Sequence, residues 1–505
     1  MTYAGALLTS CLRSALVVVL GMAIARLLAV WHRTTDSRRA RRVQLVLLAA
    51  AFLTPNLIVG FGYRTLSINL LNQRWLNELL YFGLLCFELA PAATWLLLHS
   101  PPPRLSAEAW HCARLARRGG STIESLGWRL RFWWRGVGET LVGPASLLFV
   151  LSFQESELAA LMQVAGWPER LFTDHVRGLP PTETLRLVIW PVFIQLPFVI
   201  PLMSRLGVAI SSSALSVLVE KAIVRRPSRG ILRALQAFGW TWVILGVAFV
   251  IGRPLWHLLD GIDRAGRTVV LQPRWTREVW DAVLLAGTCV MVTWGVAWVV
   301  GQGFRRWGLN ALEPLIEGKS NASMGSLKAG LLRALGTSTL IPGLIGTLAL
   351  GLLVAGFFQR FVPRLAYTPA PLILAECLWL WPRVVLVRES IAARTRVAAH
   401  QIRLLAVAPD GAQQARATAL WWQVAGRPLA GGVFLVGWWS YLEVMLPMIL
   451  SMPGFQPAPM MMYNHLHYAQ VEALGVKLAM ILTVPLVLGG LSFAVVKFFQ
   501  GRQAA

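Results

Sequence analysis

The chain reads as an all-α polytopic membrane protein of about eleven transmembrane helices in two parallel repeats, and three observations lead there. Of its 505 residues, 56% are hydrophobic and only 14% charged, a balance far from that of a soluble domain. Several apolar runs come near the roughly 20 residues that a helix needs to cross the hydrocarbon core. The ten-residue alternation of a transmembrane β-barrel is absent. Finally, the apolar part of the chain reads twice. Leu53-Thr54-Pro55-Asn56-Leu57-Ile58 returns 287 residues later as Leu340-Ile341-Pro342-Gly343-Leu344-Ile345. Glu88 returns as Glu376 and Glu155 as Glu443, each 288 residues on. A carboxylate within a membrane helix costs roughly 2–3 kcal/mol or more. Two that recur at one offset indicate a duplicated unit folded around a central path, an organisation common among transporters.

The spans follow in order. Residues 12–31 form the first, kept as a span because it lacks the basic lead and small-residue cleavage site of a signal peptide. Residues 43–61 hold the first copy of the Pro55 motif, 78–99 hold Glu88, and 138–162 hold Glu155. Residues 186–211 carry Pro191, Pro197 and Pro201, which a membrane helix tolerates where neighbours satisfy the freed backbone groups. Residues 235–253 are a single extra span. The second copy then runs through 281–303, through 336–358 with Pro342, and through 366–387 with Glu376, Trp379 and Trp381. It ends with 428–450, which holds Glu443, and 475–497, where Lys477 near the start is expected to snorkel outward. Residues 1–211 are thus a first unit, 212–280 a linking helix and loops, and 281–505 a second unit.

The formal charge of +24 invites a nucleic-acid reading, but its distribution speaks for topology. Arg33, Arg38, Arg39, Arg41 and Arg42 follow the first span, and further basic clusters follow the third, fifth, seventh and ninth. The last intervening loop, 451–474, has no Lys or Arg. This alternation is the positive-inside pattern, which puts the N-terminus outside and the C-terminus in the cytoplasm, with lipid rather than nucleic acid as the partner. One extra span between two five-span units makes the repeats parallel.

The five cysteines, Cys11, Cys86, Cys112, Cys289 and Cys377, are scattered and indicate neither a disulfide frame nor a thiolate metal site. Gly318-Lys319-Ser320 imitates the end of a phosphate loop, but Glu313 stands where its first glycine belongs, so no ATP site is expected in this chain.

One external stretch is more specific: Pro453-Gly454-Phe455-Gln456, then Met462-Tyr463-Asn464-His465-Leu466-His467-Tyr468 and Glu472. It resembles the corresponding part of the permease subunits of ATP-binding-cassette importers of the ferric-iron type, where a Pro-Gly is followed by Tyr-Asn and His-Tyr. Leu340-Ile341-Pro342-Gly343-Leu344 resembles the Pro-Gly helix of that family, Arg427-Pro428-Leu429 opens the span after the long cytoplasmic loop, and Glu443 stands where the family carries an acidic residue. The resemblance covers about 336–497, and 40–210 mainly through the internal repeat.

The resemblance implies a duplicated permease-type transmembrane domain in the inner membrane. Its solute would be iron(III) or another small solute, delivered by an external solute-binding protein. Separate ATP-binding subunits would hydrolyse ATP, leaving this chain with no catalytic residue, cofactor or resident metal. Tyr463, Asn464, His467 and Tyr468 would form the external gate. The family's coupling motif is Glu-Ala-Ala with a Gly four residues after the last Ala. Here Gly411 takes the Gly position, Leu405-Ala406-Val407 the three before it, and Asp410 and Arg416 complete the loop. The Glu is missing, so docking follows from position and not from residue identity.

Read from the residues alone, 391–427 has the helix formers, basic charge and Pro409-Asp410-Gly411 break of a short amphipathic helix pair. Glu155 and Glu443 would line the translocation path, or else hold neighbouring helices together. His465 and His467, at i and i+2, do not share a helix face and make a poor chelating pair. Two rival readings stay open. One is a degenerate permease paralogue that acts as a scaffold. The other is a membrane-embedded lipid-modifying enzyme built on Glu169, Asp174, His175, Asp260 and Asp263.

Overall fold

The computed structural model describes residues 2–99, 112, 127, 138–219, 228–265, 273–306, 338–406, 411–450, 452–467 and 471–504, and every regular element among them is helical. Helix α1 (Tyr3–Thr34) begins where the Thr2 hydroxyl accepts from the Gly5 amide at 3.3 Å. Ser37 caps α2 (Arg38–Leu53) in the same way, through the Ala40 amide. Pro55 ends α2, because its ring drives the preceding Thr54 into extended backbone. The next helix, α3 (Asn56–Asn69), leaves at 70° to α2.

The first half continues with α4 (Arg74–His99), α5 (Glu139–Gln154), α6 (Glu157–Leu161), α7 (Trp167–Val176) and α8 (Pro181–Val219). A long rod follows, α9 (Arg229–Val247) and α10 (Arg253–Ala265) joined by a π-turn over Ala248–Gly252. The second half holds α11 (Pro273–Arg306), a 3₁₀ turn over Pro342–Leu344, α12 (Thr347–Phe361) and α13 (Ala370–Ala406). Helix α14 (Gly411–Trp421) runs through a π-turn, Trp422–Gly426, into α15 (Arg427–Tyr441). Helices α16 (Met445–Leu450), α17 (Ala458–His467) and α18 (Val471–Ala504) complete the chain.

Both π-turns stand directly before an Arg-Pro. The Arg253 amide bonds the Ala248 carbonyl and the Arg427 amide bonds that of Trp422, each five residues back instead of four. A proline ring collides with the carbonyl four residues behind it, and a wider turn relieves that collision.

Among the described residues, seven helices are long and apolar enough to cross a membrane: α1, α4, α8, the α9–α10 rod, α11, α13 and α18. The bent pair α2–α3 makes an eighth if it counts as one span. The other three expected spans fall on α5, α12 and α15, helices of 15 or 16 residues that each meet a break in the chain. At 1.5 Å per residue the described parts of α5 and α12 are about 24 Å long, short of the hydrocarbon thickness, whereas α15 continues the helix begun by α14. The outer surface fits a lipid setting. Met291 is 71% and Trp298 62% exposed, and Leu12, Leu16, Val19, Trp256 and Leu284 also face outward. Apolar exposure on this scale is a liability in water and a requirement in a bilayer.

Each half has its own packed layer. In the first, Val17 and Ala25 of α1 meet Leu84, Leu85 and Leu89 of α4 and Leu148 of α5. In the second, Cys289 and Val290 of α11 meet Ala375, Leu380 and Val384 of α13 and Val436 of α15. Two further clusters join the halves. One sets Phe149 and Phe153 of α5 against Leu348, Ala349 and Leu352 of α12 and Met445 of α16. The other sets Leu57 of α3 and Leu161 of α6 against Tyr441, Leu442, Met462 and Tyr463.

The 3₁₀ turn lies flush on α13. A Cβ on Gly343 would stand 2.6 Å from the Pro382 ring and closer still to the Leu378 carbonyl oxygen. Gly343→Ala should therefore lower stability by about 1–3 kcal/mol, the usual cost of overpacking. Gly295→Ala in α11, where a Cβ meets nothing within 4 Å, should leave stability unchanged or raise it slightly. Thermal unfolding of the two variants in detergent, followed by tryptophan fluorescence, checks the contrast.

Candidate functional site

The two repeated carboxylates do the same job. Helix α5 stops at Gln154, and the next side chain, Glu155, turns back to accept from the amides of Leu158 at 2.6 Å and Ala159 at 3.0 Å. Helix α15 stops at Tyr441, and Glu443 accepts from the amides of Met445 at 3.0 Å and Leu446 at 3.2 Å. Each carboxylate thus caps the short helix after a break, where free amides and the helix dipole favour a negative charge.

Their other partners also correspond. Asn56, the first residue of α3, donates to Glu155 at 3.3 Å. Thr347, the first residue of α12, lies beside Glu443. In each half, then, the helix that starts after the Pro-containing break reaches the capping carboxylate. Glu155 also accepts from the Tyr81 hydroxyl of α4 at 2.7 Å.

The breaks meet across the halves. The Gln154 amide donates to the Leu344 carbonyl, and Gln195 of α8 donates to the Ile345 carbonyl at 3.3 Å. In return, the Trp438 indole of α15 donates to the Leu53 carbonyl at 3.4 Å. Gly346 allows this closeness, since its φ of +95° suits glycine and the Gln154 side chain would lie 3.0 Å from any Cβ there. Between the breaks lies Glu157, near enough to Glu443, Glu155 and Glu88 for their charges to act on it. Glu155 and Glu157 are only half-buried, whereas Glu443 is buried. The charge of Arg13 reaches Glu155 and that of Arg383 reaches Glu443. Arg13 pairs with Glu78 at 2.9 Å, and Arg383 stacks on Trp379 with 3.9 Å to the ring centre.

Glu88 and Glu376 keep their register but not their surroundings. Glu376 accepts from the Ser440 hydroxyl and, at 3.5 Å, from the Cys289 thiol, tying α13 to α15 and α11. One oxygen of Glu88 is buried without a hydrogen-bond donor among the described residues.

Three of the four expected gate residues, Tyr463, Asn464 and His467, lie on α17. Tyr463 is buried, and the charges of Glu157, Glu169 and Glu155 reach its phenol, so α17 and the carboxylate cluster are neighbours. Asn464 is half-buried, His467 ends the helix, and Tyr468 lies outside the described residues. Of the expected coupling loop, Leu405 and Ala406 close α13, Gly411 opens α14, and Arg416 is exposed on it. Val407 and Asp410 lie outside the described residues, as does the Gly318-Lys319-Ser320 segment. Helix α13 runs 18 residues past its apolar part, which ends at Arg388, and α14 packs back along it.

The acidic loop residues do not converge on one centre. Asp174 pairs with Arg170 at 2.9 Å and His175 faces the Thr184 hydroxyl at 3.4 Å. Among the described residues no group of three or more His, Cys, Asp or Glu could hold a metal ion.

Lys477 does not snorkel. It is buried and pairs with Glu278 of α11, their side chains 2% and 3% exposed. The partner lies nearly 200 residues away in sequence, and no local pattern points to it. Gln154, Gln195 and Arg383 also escape the sequence reading, because lone polar residues in apolar stretches give no hint of the breaks they serve.

No protein-family model matches this chain, and no curated protein or solved structure matches it either.

Glu443→Ala, which leaves two buried amides without an acceptor, should cost about 1–2 kcal/mol of stability, and Glu443→Gln, which keeps an acceptor oxygen, distinctly less. Thermal unfolding of both variants decides. Burial raises the Glu169 carboxyl of α7 to about 7, against a smaller opposing effect of Arg13. The fold therefore favours protonated Glu169. That contribution is full below about pH 4.5 and is lost as the pH rises through 7. Glu169→Gln should match the unsubstituted protein at pH 4.5 and exceed it in melting temperature at pH 8.

Proposed function

We propose that the chain is the translocation subunit of an ATP-driven importer, a duplicated permease-type domain in the inner membrane. Two parallel five-span units are joined by the α9–α10 span, with the N-terminus outside and the C-terminus cytoplasmic. The observation that carries this reading is the matched pair of breaks. Glu155 and Glu443, 288 residues apart, each cap a short helix and each lie beside the first residue of the helix after the Pro-containing break. Such a correspondence is what two copies of one unit around a common path would leave behind, and broken helices at mid-membrane are where transporters place their solute sites.

In this reading an external binding protein delivers the solute to α7 and α17. The half-buried carboxylates Glu155 and Glu157 face the path, which suits a cation or a polar solute, iron(III) being the one the sequence resemblance implies. Partner ATPase subunits dock where α13 and α14 project beyond the apolar zone. The missing Glu of the coupling motif favours a second reading, a permease-like scaffold that has lost its ATPase.

Purifying the tagged chain from its native membrane in mild detergent and identifying what accompanies it separates the two. The importer brings a stoichiometric nucleotide-binding subunit, and the scaffold does not. Gly411 is exposed with open space around it, so Gly411→Arg should insert and fold normally yet lose at least nine-tenths of the ATPase, roughly the effect of 1.4 kcal/mol or more at an interface. Full retention of the ATPase would remove the coupling-loop assignment.

A further inference from the structure

A strip of charge on α11 holds down the external segment that carries α17. Arg274, Glu278 and Asp281 stand at i, i+4 and i+7 and so share one face of the first turns of α11. Arg274 bonds Glu278 at 3.3 Å and donates to the Gln456 side chain at 2.5 Å. Asp281 accepts from the Gln456 amide at 3.4 Å. At the far end of the segment, His465 Nδ1 lies 3.5 Å from Lys477 Nζ, and Lys477 is the buried partner of Glu278. The segment is thus pinned before α17 by Gln456 and within it by His465. Two residues from His465, Tyr463 lies within reach of the charges of Glu157, Glu169 and Glu155.

We infer that Glu278, Lys477 and His465 form a proton-sensitive clasp that keeps α17 seated at neutral pH and releases it on acidification. The Nδ1···Nζ contact needs an unprotonated imidazole nitrogen to accept from the ammonium. A proton on that nitrogen turns the contact into two cations side by side, with Arg274 a third, against the carboxylate of Glu278. Among the described residues, the charged groups that act on His465 are Lys477 from α18 and Arg274 and Glu278 from α11. Helix α16, which also touches α17, has no titratable side chain, and α3, which touches it too, carries Tyr63 and Arg64. Burial first, then Lys477, holds the imidazole below its ordinary value. The seated state therefore binds fewer protons than the released one. Its advantage is complete well above about pH 6.5 and is lost as the pH falls below that value.

That release would open the solute path rests on the translocation reading above; the clasp itself does not. The test is hydrogen–deuterium exchange of the amides of 458–467 in the full chain, reconstituted in lipid nanodiscs. It is run at pH 7.5 and pH 5.0, with rates corrected for the intrinsic pH dependence of exchange. Protection should fall about tenfold at pH 5.0 in the unsubstituted chain. It should hold at both pH values in His465→Gln, whose amide oxygen can still accept from Lys477. In His465→Arg, with a permanent cation, it should be low at both. Equal corrected protection at the two pH values, the same loss in His465→Gln, or full protection in His465→Arg would each overturn the clasp. Because exchange reports on α17 whether or not solute moves, failure of transport and failure of the clasp are separate results.

Discussion

A helix interrupted within an apolar layer exposes amides that no water can satisfy, and the architecture turns on how Glu155 and Glu443 meet that demand. Each carboxylate bonds two amides at the start of a short helix, and Glu155 is in turn held by Asn56 from the preceding break. Without the caps, α6 and α16 would start with unpaired donors, and the chain could not change direction at those depths. The costly placement of a carboxylate in an apolar zone is thereby offset locally, by hydrogen bonds that a continuous helix would not need.

The halves are stitched at the same level. Gln154 of the first bonds the Leu344 carbonyl of the second, and Trp438 of the second bonds the Leu53 carbonyl of the first. The carbonyls freed by one half's Pro-containing break are used by the helix that precedes the capped one in the other half. The two central apolar clusters seal around these bonds, with Phe153 against Leu348 and Leu57 against Leu442. Each half therefore satisfies backbone groups in the other, and neither break is closed by its own sequence alone.

Much of this was legible in the sequence, for definite reasons. Long apolar runs, clustered arginines and a carboxylate pair at a fixed offset are local or countable signals, and they led to the helical membrane class and to Glu155 and Glu443. The breaks were not legible. Neither Phe153-Gln154-Glu155-Ser156 nor Tyr441-Leu442-Glu443-Val444 contains a proline or glycine, so each run reads as one continuous span. What stops the helix is the side chain turning back on the backbone, a choice that periodicity cannot register. The Lys477–Glu278 pair failed for another reason: a buried ion pair between distant helices leaves each member looking like an ordinary charge near a helix end. Asn56 and Thr347 were invisible as counterparts because their residue types differ and only their positions after a break agree.

The two π-turns bear on how any pattern in this chain should be read. Each adds one residue to a turn, which advances everything beyond it by about 100° around the helix axis. Helices α14 and α15 look like a single rod, yet they are out of phase across Trp422–Gly426, as α9 and α10 are across Ala248–Gly252. A stripe traced by 3.6-residue spacing from Ala417 into Val436 would drift off its face midway. The same Gly-Arg-Pro-Leu at 252–255 and 426–429 marks both slips. It works as a punctuation mark, telling the reader where to restart the count.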